Sequence, residues 1–262
     1  MCLIALALRQ HPDWPVILVG NRDEFHARPS HPADEWEDVP GILGGRDLDA
    51  GGAWLAAAPA TGRLAVVTNV REPAAPAPDA LSRGLLVRDY LAGTEDASTF
   101  AGSLSRAAAA YRPFNLLLLD PAAALYVSNR PVPQVQSLTE GLYGLSNGAL
   151  DAPWPKTQAL KTRLARWIES SDQNPEPLFA ALSDETRAED PALPNTGVGL
   201  ERERFVAPAF IRSDNYGTRA QTVVRIAADG RGELIERRFG PNGSALGESM
   251  LSFRASPCRS RG

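Results

Sequence analysis

Short apolar runs separated by turn residues dominate the chain and predict β-strands. Residues 2–8 are continuously apolar, and a second apolar run at 14–20 follows a Pro-Asp turn region, so the two predict a hairpin of buried strands. Strand-turn-strand patterns recur further on. The remaining strand-like segments lie at 53–69, 114–128, 142–147, 206–211, 219–226 and 234–239.

Two helical blocks interrupt these strands. The first is predicted from about Ser82, whose hydroxyl can cap the following turn, and continues into a second helix capped by Thr94 and ending near Tyr111. The other block is an amphipathic helix with apolar positions at i, i+4, i+7 and i+8: Leu160, Leu164, Trp167 and Ile168. Strands and helices do not alternate as in a parallel sheet, so the pattern favours an antiparallel α+β layered fold.

Length and composition fit one folded domain. With 262 residues, 44% of them hydrophobic, the chain can bury a large core, and it contains no internal repeat. A Pro-Ala connection after Glu72 is too short to separate domains. We expect a single domain over 1–240 and a Gly-, Ser- and Arg-rich C-terminal tail over 241–262.

The net charge and the cysteine content limit the classes of binding partner and the cellular setting that we expect. The formal charge of −4 and the lack of a long basic run argue against nucleic acid as a partner. The first apolar run is too short for a membrane span or a signal core, and no positive region precedes it. The two cysteines, Cys2 and Cys258, do not make a disulfide framework. A cytoplasmic, reducing setting is expected.

The candidate chemistry begins at Cys2. If Met1 is removed, Cys2 carries both a thiol and a free α-amine, which pairs a nucleophile with its own potential base. A separate catalytic histidine is then unnecessary, although His11, His26 and His31 all lie near the start of the chain. The alternative is that Cys2 is a small apolar residue buried in the first strand.

Several polar motifs stand at the ends of the predicted strands. The segment 21–24, Asn-Arg-Asp-Glu, follows Met1-Cys2 after one hairpin and resembles the NRDE family, also called the Transport and Golgi organization protein 2 family. Further segments carry the resemblance, in order, over nearly the whole chain. They are 44–47, 51–55, 68–71, 82–84, 114–117, 145–147, 153–156 and 216–219.

The same layout is similar, more remotely, to N-terminal nucleophile hydrolases of the choloylglycine hydrolase and penicillin acylase type. That resemblance implies a four-layer α/β/β/α sandwich of two mainly antiparallel sheets. It also implies that Cys2 attacks an amide or related acyl compound through a thioester, with no cofactor required. Asp23 would hold the α-amine, and the other implied catalytic residues are Asn69 and Asn147, which stabilise substrate or oxyanion, and Arg219 near the thiolate.

One position departs from the hydrolase pattern. Those enzymes carry an arginine three positions before the aspartate, where this chain has Gly20, while Arg22 directly precedes Asp23. An exposed apolar cleft between the sheets, lined by Cys2, Asp23 and Arg219, is predicted.

Each implied residue also has a structural alternative. Asn69 and Asn147 end apparent strands, where asparagine commonly serves turns. Arg219 can pair with Asp214, and the acidic residues 23 and 24 can bond Arg28 or Arg46. The carboxylates and histidines of this region lack the spacing of a recognised metal site, so a solvated loop is favoured there.

The second class of function is a non-catalytic carrier that uses the same cleft. Members of the resembled family are linked to haem trafficking and to lipid or acyl-coenzyme A handling. Haem would take an axial ligand from Cys2, His26 or His31. Acyl-coenzyme A would need arginines near its phosphates. The predicted ligand-binding residues are Asn21, Arg22, Glu24, Arg28, Arg46 and Arg71.

Overall fold

The structure, a computed structural model, describes residues 1–73, 77, 79–170 and 173–256. Within these residues the chain forms two antiparallel β-sheets of six and seven strands. Residues 74–76 and 78 of the predicted Pro-Ala connection lie outside the described part. So do residues 257–262, which include Cys258.

The first sheet contains both ends of the described chain. Its strands are β1 (Cys2–Leu8), β2 (Val16–Phe25), β10 (Gly141–Leu145), β11 (Tyr216–Ile226), β12 (Arg231–Phe239) and β13 (Ala245–Arg254). Their order across the sheet is β10-β1-β2-β11-β12-β13. The strand that opens the chain is therefore interior, with partners on both sides.

The second sheet is an uninterrupted meander, in which each strand pairs with the next along the chain. Its strands, in spatial and sequence order, are β3 (Ser30–Glu35), β4 (Leu43–Asp47), β5 (Leu55–Ala58), β6 (Arg63–Asn69), β7 (Phe114–Leu119), β8 (Ala124–Ser128) and β9 (Gln134–Ser137).

Helices cover the outer face of each sheet. They are α1 (Gly84–Ala92), α2 (Ala97–Ala107), α3 (Pro155–Glu169), α4 (Glu176–Leu182) and α5 (Leu200–Phe205). Helices α1 and α2 pack on the second sheet, while α3 and α4 pack on the first. The expected four-layer α/β/β/α sandwich is confirmed.

The continuous apolar sequence of β1 follows from its place in these layers. Ile4 and Leu6 point into the core between the sheets, whereas Leu3 and Ala5 point towards α3 and α4. Side chains alternate across a strand, so a strand buried on both faces needs apolar residues at every position. Sequence and layer position therefore agree in β1.

Some predicted elements differ in detail. Asp96, not Thr94, caps α2, since its Oδ1 accepts a 2.7 Å hydrogen bond from the backbone N–H of Thr99. The segment 206–211 is not a strand but an irregular connection, because Pro208 has no N–H to give a sheet ladder. Helix α5 has only six residues and was not predicted.

The segment set apart as a tail also contains regular structure. Residues Ala245–Arg254 form β13, which pairs with β12 at the edge of the first sheet. Leu251 and Phe253 pack against the core between the sheets. The Gly- and Ser-rich composition of this segment gives no strong apolar pattern, so the strand was not predicted. Among the residues that the structure describes, no helix is long and apolar enough to cross a membrane.

Candidate functional site

Cys2 and Asp23 lie on neighbouring strands at one end of the first sheet. The backbone N–H of Asp23 donates to the carbonyl oxygen of Met1 at 2.7 Å, and the Met1 α-ammonium donates to the carbonyl oxygen of Asp23. Cys2 stands directly opposite Arg22. Directly opposite residues share a face of the sheet, so the Cys2 thiol and the Arg22 side chain both project between the two sheets.

The thiol of Cys2 is buried between the two sheets. The residue is 6% exposed, and its Sγ lies 3.9 Å from the carbonyl oxygen of Val67 on β6. Burial raises the pKa of the thiol, and the nearby α-ammonium, Arg22 and Arg83 oppose that rise. Because burial is the largest effect, the environment in this form favours the protonated thiol.

The carboxylate of Asp23 is buried and only half satisfied. Its Oδ1 accepts a 2.7 Å hydrogen bond from the Thr218 hydroxyl, while its Oδ2 is buried with no hydrogen-bond partner. Asp23 follows Arg22, so its side chain points to the helical face, away from the sulfur. An orphaned buried carboxylate oxygen is costly and indicates a donor that belongs beside it.

Two residues outside the predicted set complete this end of the sheet. The Tyr216 hydroxyl accepts a 2.7 Å hydrogen bond from the Met1 ammonium and donates to the carbonyl oxygen of Asp23 at 3.2 Å. Lys156 donates from its buried Nζ to the carbonyl oxygen of Val206 at 2.8 Å, and burial lowers its pKa to about 8. Both residues occur in segments that carry the family resemblance, which was the available sequence signal.

Asn69 and Asn147 meet where β6 and β10 end. The Asn147 amide donates to Oδ1 of Asn69 at 2.9 Å and to its carbonyl oxygen at 3.0 Å. The Ser146 hydroxyl donates to the carbonyl oxygen of Cys2 at 2.9 Å, which ties this pair to the start of β1. Both N–H groups of Asn147 are thus occupied. Asn69 has the freer amide, since its Nδ2 makes only a 3.4 Å contact with the carbonyl oxygen of Val70.

Arg219 lies at a β-bulge of β11, two strands from Cys2. Its guanidinium donates to the carbonyl oxygens of Phe25 at 2.8 Å and Arg28 at 2.9 Å, and to the Ser30 hydroxyl at 3.1 Å. The arginines whose charges act on the thiol are Arg22 and Arg83. The assignment of Arg219 to the thiolate therefore stays a prediction.

The other predicted ligand-binding residues make contacts within the protein. The amide of Asn21 donates to the carbonyl oxygens of Leu182 and Ala209, at 2.8 and 2.7 Å. Glu24 accepts from the backbone N–H of the next residue at 2.9 Å. The remaining three are paired with carboxylates: Arg28 with Asp47, Arg46 with Asp38 and Arg71 with Glu203.

Comparison with known proteins shows the family to which the chain belongs. The family model for Transport and Golgi organisation 2 matches residues 1–241. The chain belongs to this family. The human Transport and Golgi organization protein 2 homolog is 33% identical over 90% of this chain and 92% of its own length. The mouse homolog is 32% identical over the same shares, and the Drosophila melanogaster protein is 27% identical over 90% and 91%.

A pocket of about 80 Å³ opens between the sheets of this family member. It lies beside Arg22, the residue opposite Cys2 on β2. Its lining mixes four arginines with apolar side chains, and it includes Arg22 and Arg219 but neither Cys2 nor Asp23. This differs from the apolar cleft predicted from the sequence. The reason is that Val67 of the second sheet lies over the sulfur, while Asp23 faces the helices.

The candidate haem ligands are dispersed. His31 lines the pocket between the sheets, whereas His26 and Cys2 do not. His26 is partly buried, and burial, followed by the charge of Arg219, lowers its pKa and favours the neutral ring. Over the described ranges, no group of three or more His, Cys, Asp or Glu side chains is arranged to hold a metal ion.

Proposed function

We propose that this family member is an N-terminal-cysteine amidohydrolase or acyltransferase that acts on an amide or related acyl compound through a thioester. The carboxylate of Asp23 carries the proposal, because its Oδ2 is buried without a partner and its negative charge acts on the leading nitrogen of the chain. A carboxylate left without a donor at this point fits an α-amine that becomes free when Met1 is removed.

The residues around Cys2 support each step of such a reaction. The freed α-amine takes the thiol proton, and the thiolate attacks the substrate carbonyl carbon to form a tetrahedral oxyanion. The amide of Asn69 donates to that oxyanion. The intermediate collapses with cleavage of the C–N bond, and the α-ammonium returns its proton to the leaving amine. Water or another acceptor then releases the acyl group from sulfur.

The charges near the thiol favour this chemistry only after processing. An ammonium on Cys2 itself and the guanidiniums of Arg22 and Arg83 all stabilise a thiolate. With Met1 attached, the free amine belongs to the preceding residue and not to Cys2. Removal of Met1 is therefore the activating step in this proposal.

The test combines intact mass with acyl trapping. Untagged protein made in cells is weighed for loss of Met1, incubated with a p-nitrophenyl ester and quenched in acid. We expect one acyl group on Cys2, none on the Cys2→Ala variant and a hydroxylamine-resistant ester on Cys2→Ser. Equal labelling of Cys2→Ala, or efficient labelling of chains that keep Met1, would overturn the proposal.

A second candidate is a carrier for haem or for acyl-coenzyme A and lipid, and the buried thiol with its raised pKa favours it. Haem titration separates the two. A Soret band that is lost on His26→Ala, His31→Ala or Cys2→Ala, together with no acyl adduct, would support the carrier. The cytoplasmic setting stays a prediction from cysteine usage.

A further inference from the structure

A row of four residues crosses the first sheet from the nucleophile to the pocket. Cys2 on β1 stands opposite Arg22 on β2, which stands opposite Ala220 on β11, which stands opposite Arg238 on β12. Side chains of directly opposite residues share one face, and neighbouring strands lie about 4.8 Å apart. The methyl group of Ala220 therefore leaves a gap between two arginines.

That gap opens into the pocket, which Arg22, Ala220 and Arg238 all line. Gly45 of β4 and Trp54, which directly precedes β5, line its other side. Arg219, at the bulge next to Ala220, lines the pocket from the first sheet. The absence of a side chain at Gly45 matters, because a Cβ there would lie 2.9 Å from Oε2 of Glu236. The pocket volume of about 80 Å³ exceeds several-fold the roughly 10–15 Å³ that one water requires.

Three of the four arginines that line the pocket are short of partners. Nε of Arg238 is buried without a hydrogen bond, and Arg219 bonds only neutral oxygens. Arg22 reaches Asp47 at 3.7 Å, but that carboxylate is already bonded to Arg28 at 2.8 Å. Three guanidiniums thus face a pocket where their positive charge is not fully compensated.

Glu236 is the other acidic group in the lining. Its Oε1 accepts a 2.8 Å hydrogen bond from the backbone N–H of Ala33, and burial raises the pKa of its carboxyl against the influence of Arg238 and Arg22. The fourth arginine of the lining, Arg46, is paired with Asp38 outside the pocket. Even when Glu236 is ionised, the other three cations meet two carboxylates, one of them shared with Arg28. The electrostatics of the pocket therefore favour an added negative charge.

We propose that this pocket binds an oxyanion, a carboxylate or a phosphate, held by Arg22, Arg219 and Arg238. Guanidinium groups suit both oxyanions because their N–H donors match the spacing of two oxygens. Resting on the proposed function, the oxyanion belongs to the acyl substrate. Ala220 lies two strands from Cys2, so about 10 Å separates the anionic group from the reacting carbonyl.

Titration of the Cys2→Ala protein tests the site without any acyl transfer. Inorganic phosphate and glutarate are titrated by calorimetry at constant ionic strength, with sodium chloride as the reference salt. We expect saturable binding of at least one of them, weakened about tenfold or more by Arg238→Gln. The anion that binds more tightly identifies the group.

The matched control is Arg254→Gln, which removes the same charge from an exposed position near the other end of the β12–β13 pair. It should leave the affinity unchanged. Arg238→Lys, which keeps the charge but loses the fork of donors, should bind with intermediate affinity. The absence of saturable binding, or equal losses in Arg238→Gln and Arg254→Gln, overturns the proposal; thermal unfolding of each variant verifies the fold.

Acylation of Cys2 then separates this proposal from the proposed function. With p-nitrophenyl esters that differ only in a terminal carboxylate, Arg238→Gln should lower kcat/KM about tenfold for the anionic ester and leave the neutral ester unchanged. Anion binding without acylation by either ester would contradict the proposed enzyme activity and support the oxyanion site. Acylation without anion binding would support the enzyme activity and contradict the oxyanion site.

Discussion

Asn147 donates two hydrogen bonds to Asn69, at 2.9 Å to its side-chain oxygen and 3.0 Å to its carbonyl oxygen, and so joins the two sheets beside Cys2. The two asparagines were predicted to act alike, as polar stabilisers of substrate. The structure distinguishes them. Asn147 is fully buried and both of its amide N–H groups donate hydrogen bonds, whereas the Asn69 amide makes only one 3.4 Å contact.

Substitution of the two asparagines should therefore give different results. Asn147→Ala leaves two acceptors of Asn69 unbonded and should lower the free energy of unfolding by about 1–3 kcal/mol. Asn69→Ala should lower the rate of Cys2 acylation by about 10²-fold, with a smaller loss of stability. Urea denaturation and stopped-flow release of p-nitrophenol measure the two effects. Similar stability losses with no change in rate for Asn69→Ala would contradict this division.

Lys156 should make stability depend on pH in the alkaline range. Burial lowers its folded-state pKa to about 8 from the model-peptide value of 10.5, so the unfolded chain binds more protons between those values. The free energy of unfolding should then rise with pH from about 8 to 10.5, by up to about 1.4 kcal/mol per pH unit relative to Lys156→Met. Below pH 8 the difference between the two proteins should be constant.

Urea denaturation at several pH values measures that slope. The control is Lys161→Met in the same helix, where the lysine is partly exposed and paired with Asp151. This variant should keep the slope of the unsubstituted protein. Parallel curves for the unsubstituted protein and Lys156→Met between pH 8 and 10.5 would rule out a depressed pKa.

Arg71 and Glu203 should behave as a coupled structural pair. Their side chains are each 4% exposed and form a salt bridge, and the Arg71 guanidinium lies 4.7 Å from the centroid of the Trp154 ring. Arg71→Met or Glu203→Met alone leaves a buried uncompensated charge and should cost about 3–5 kcal/mol of stability. The double variant should recover much of that loss.

A double-mutant cycle by urea denaturation gives the coupling energy of this pair. A large favourable coupling would make Arg71 a structural residue, in contrast to its predicted role as a phosphate ligand. Additive losses, together with weakened binding of inorganic phosphate to Arg71→Met, would restore the ligand-binding interpretation.

Gly52 should be intolerant of a side chain. A Cβ there would lie 2.3 Å from the backbone carbon and oxygen of Gly84, which begins α1. Gly52→Ala should therefore destabilise the fold by about 1–3 kcal/mol or more. Gly102→Ala is the matched control, since this helical glycine has no heavy atom near its Cβ position and should gain about 0.5–1 kcal/mol. Equal thermal midpoints for the two variants would show that Gly52 has room.

The layered fold was predictable because its signals are local. The continuous apolar run of β1 and the spacing of Leu160 and Leu164 on α3 are visible within a few consecutive residues. The Gly/Ser-rich strand β13 and the short helix α5 were missed because pairing with β12 and packing in a connection stabilise them, and neither leaves a strong local pattern.

The candidate site was predictable only in part. The identity and order of Cys2, Asp23, Asn69 and Asn147 are visible in the sequence, and hairpin pairing places the first two together. Tyr216 lies at the start of β11, and no local pattern shows that its hydroxyl reaches the Met1 ammonium. Contacts between residues more than two hundred positions apart depend on strand order.

The sequence by itself determined the family, the layered α+β architecture and the presence of a cysteine that follows the first methionine. Only the tertiary structure decided which buried polar groups remain without a partner, among them Oδ2 of Asp23 and Nε of Arg238. Residue types fix which donors and acceptors a chain possesses. Whether each one finds a partner depends on how distant strands and helices are brought together.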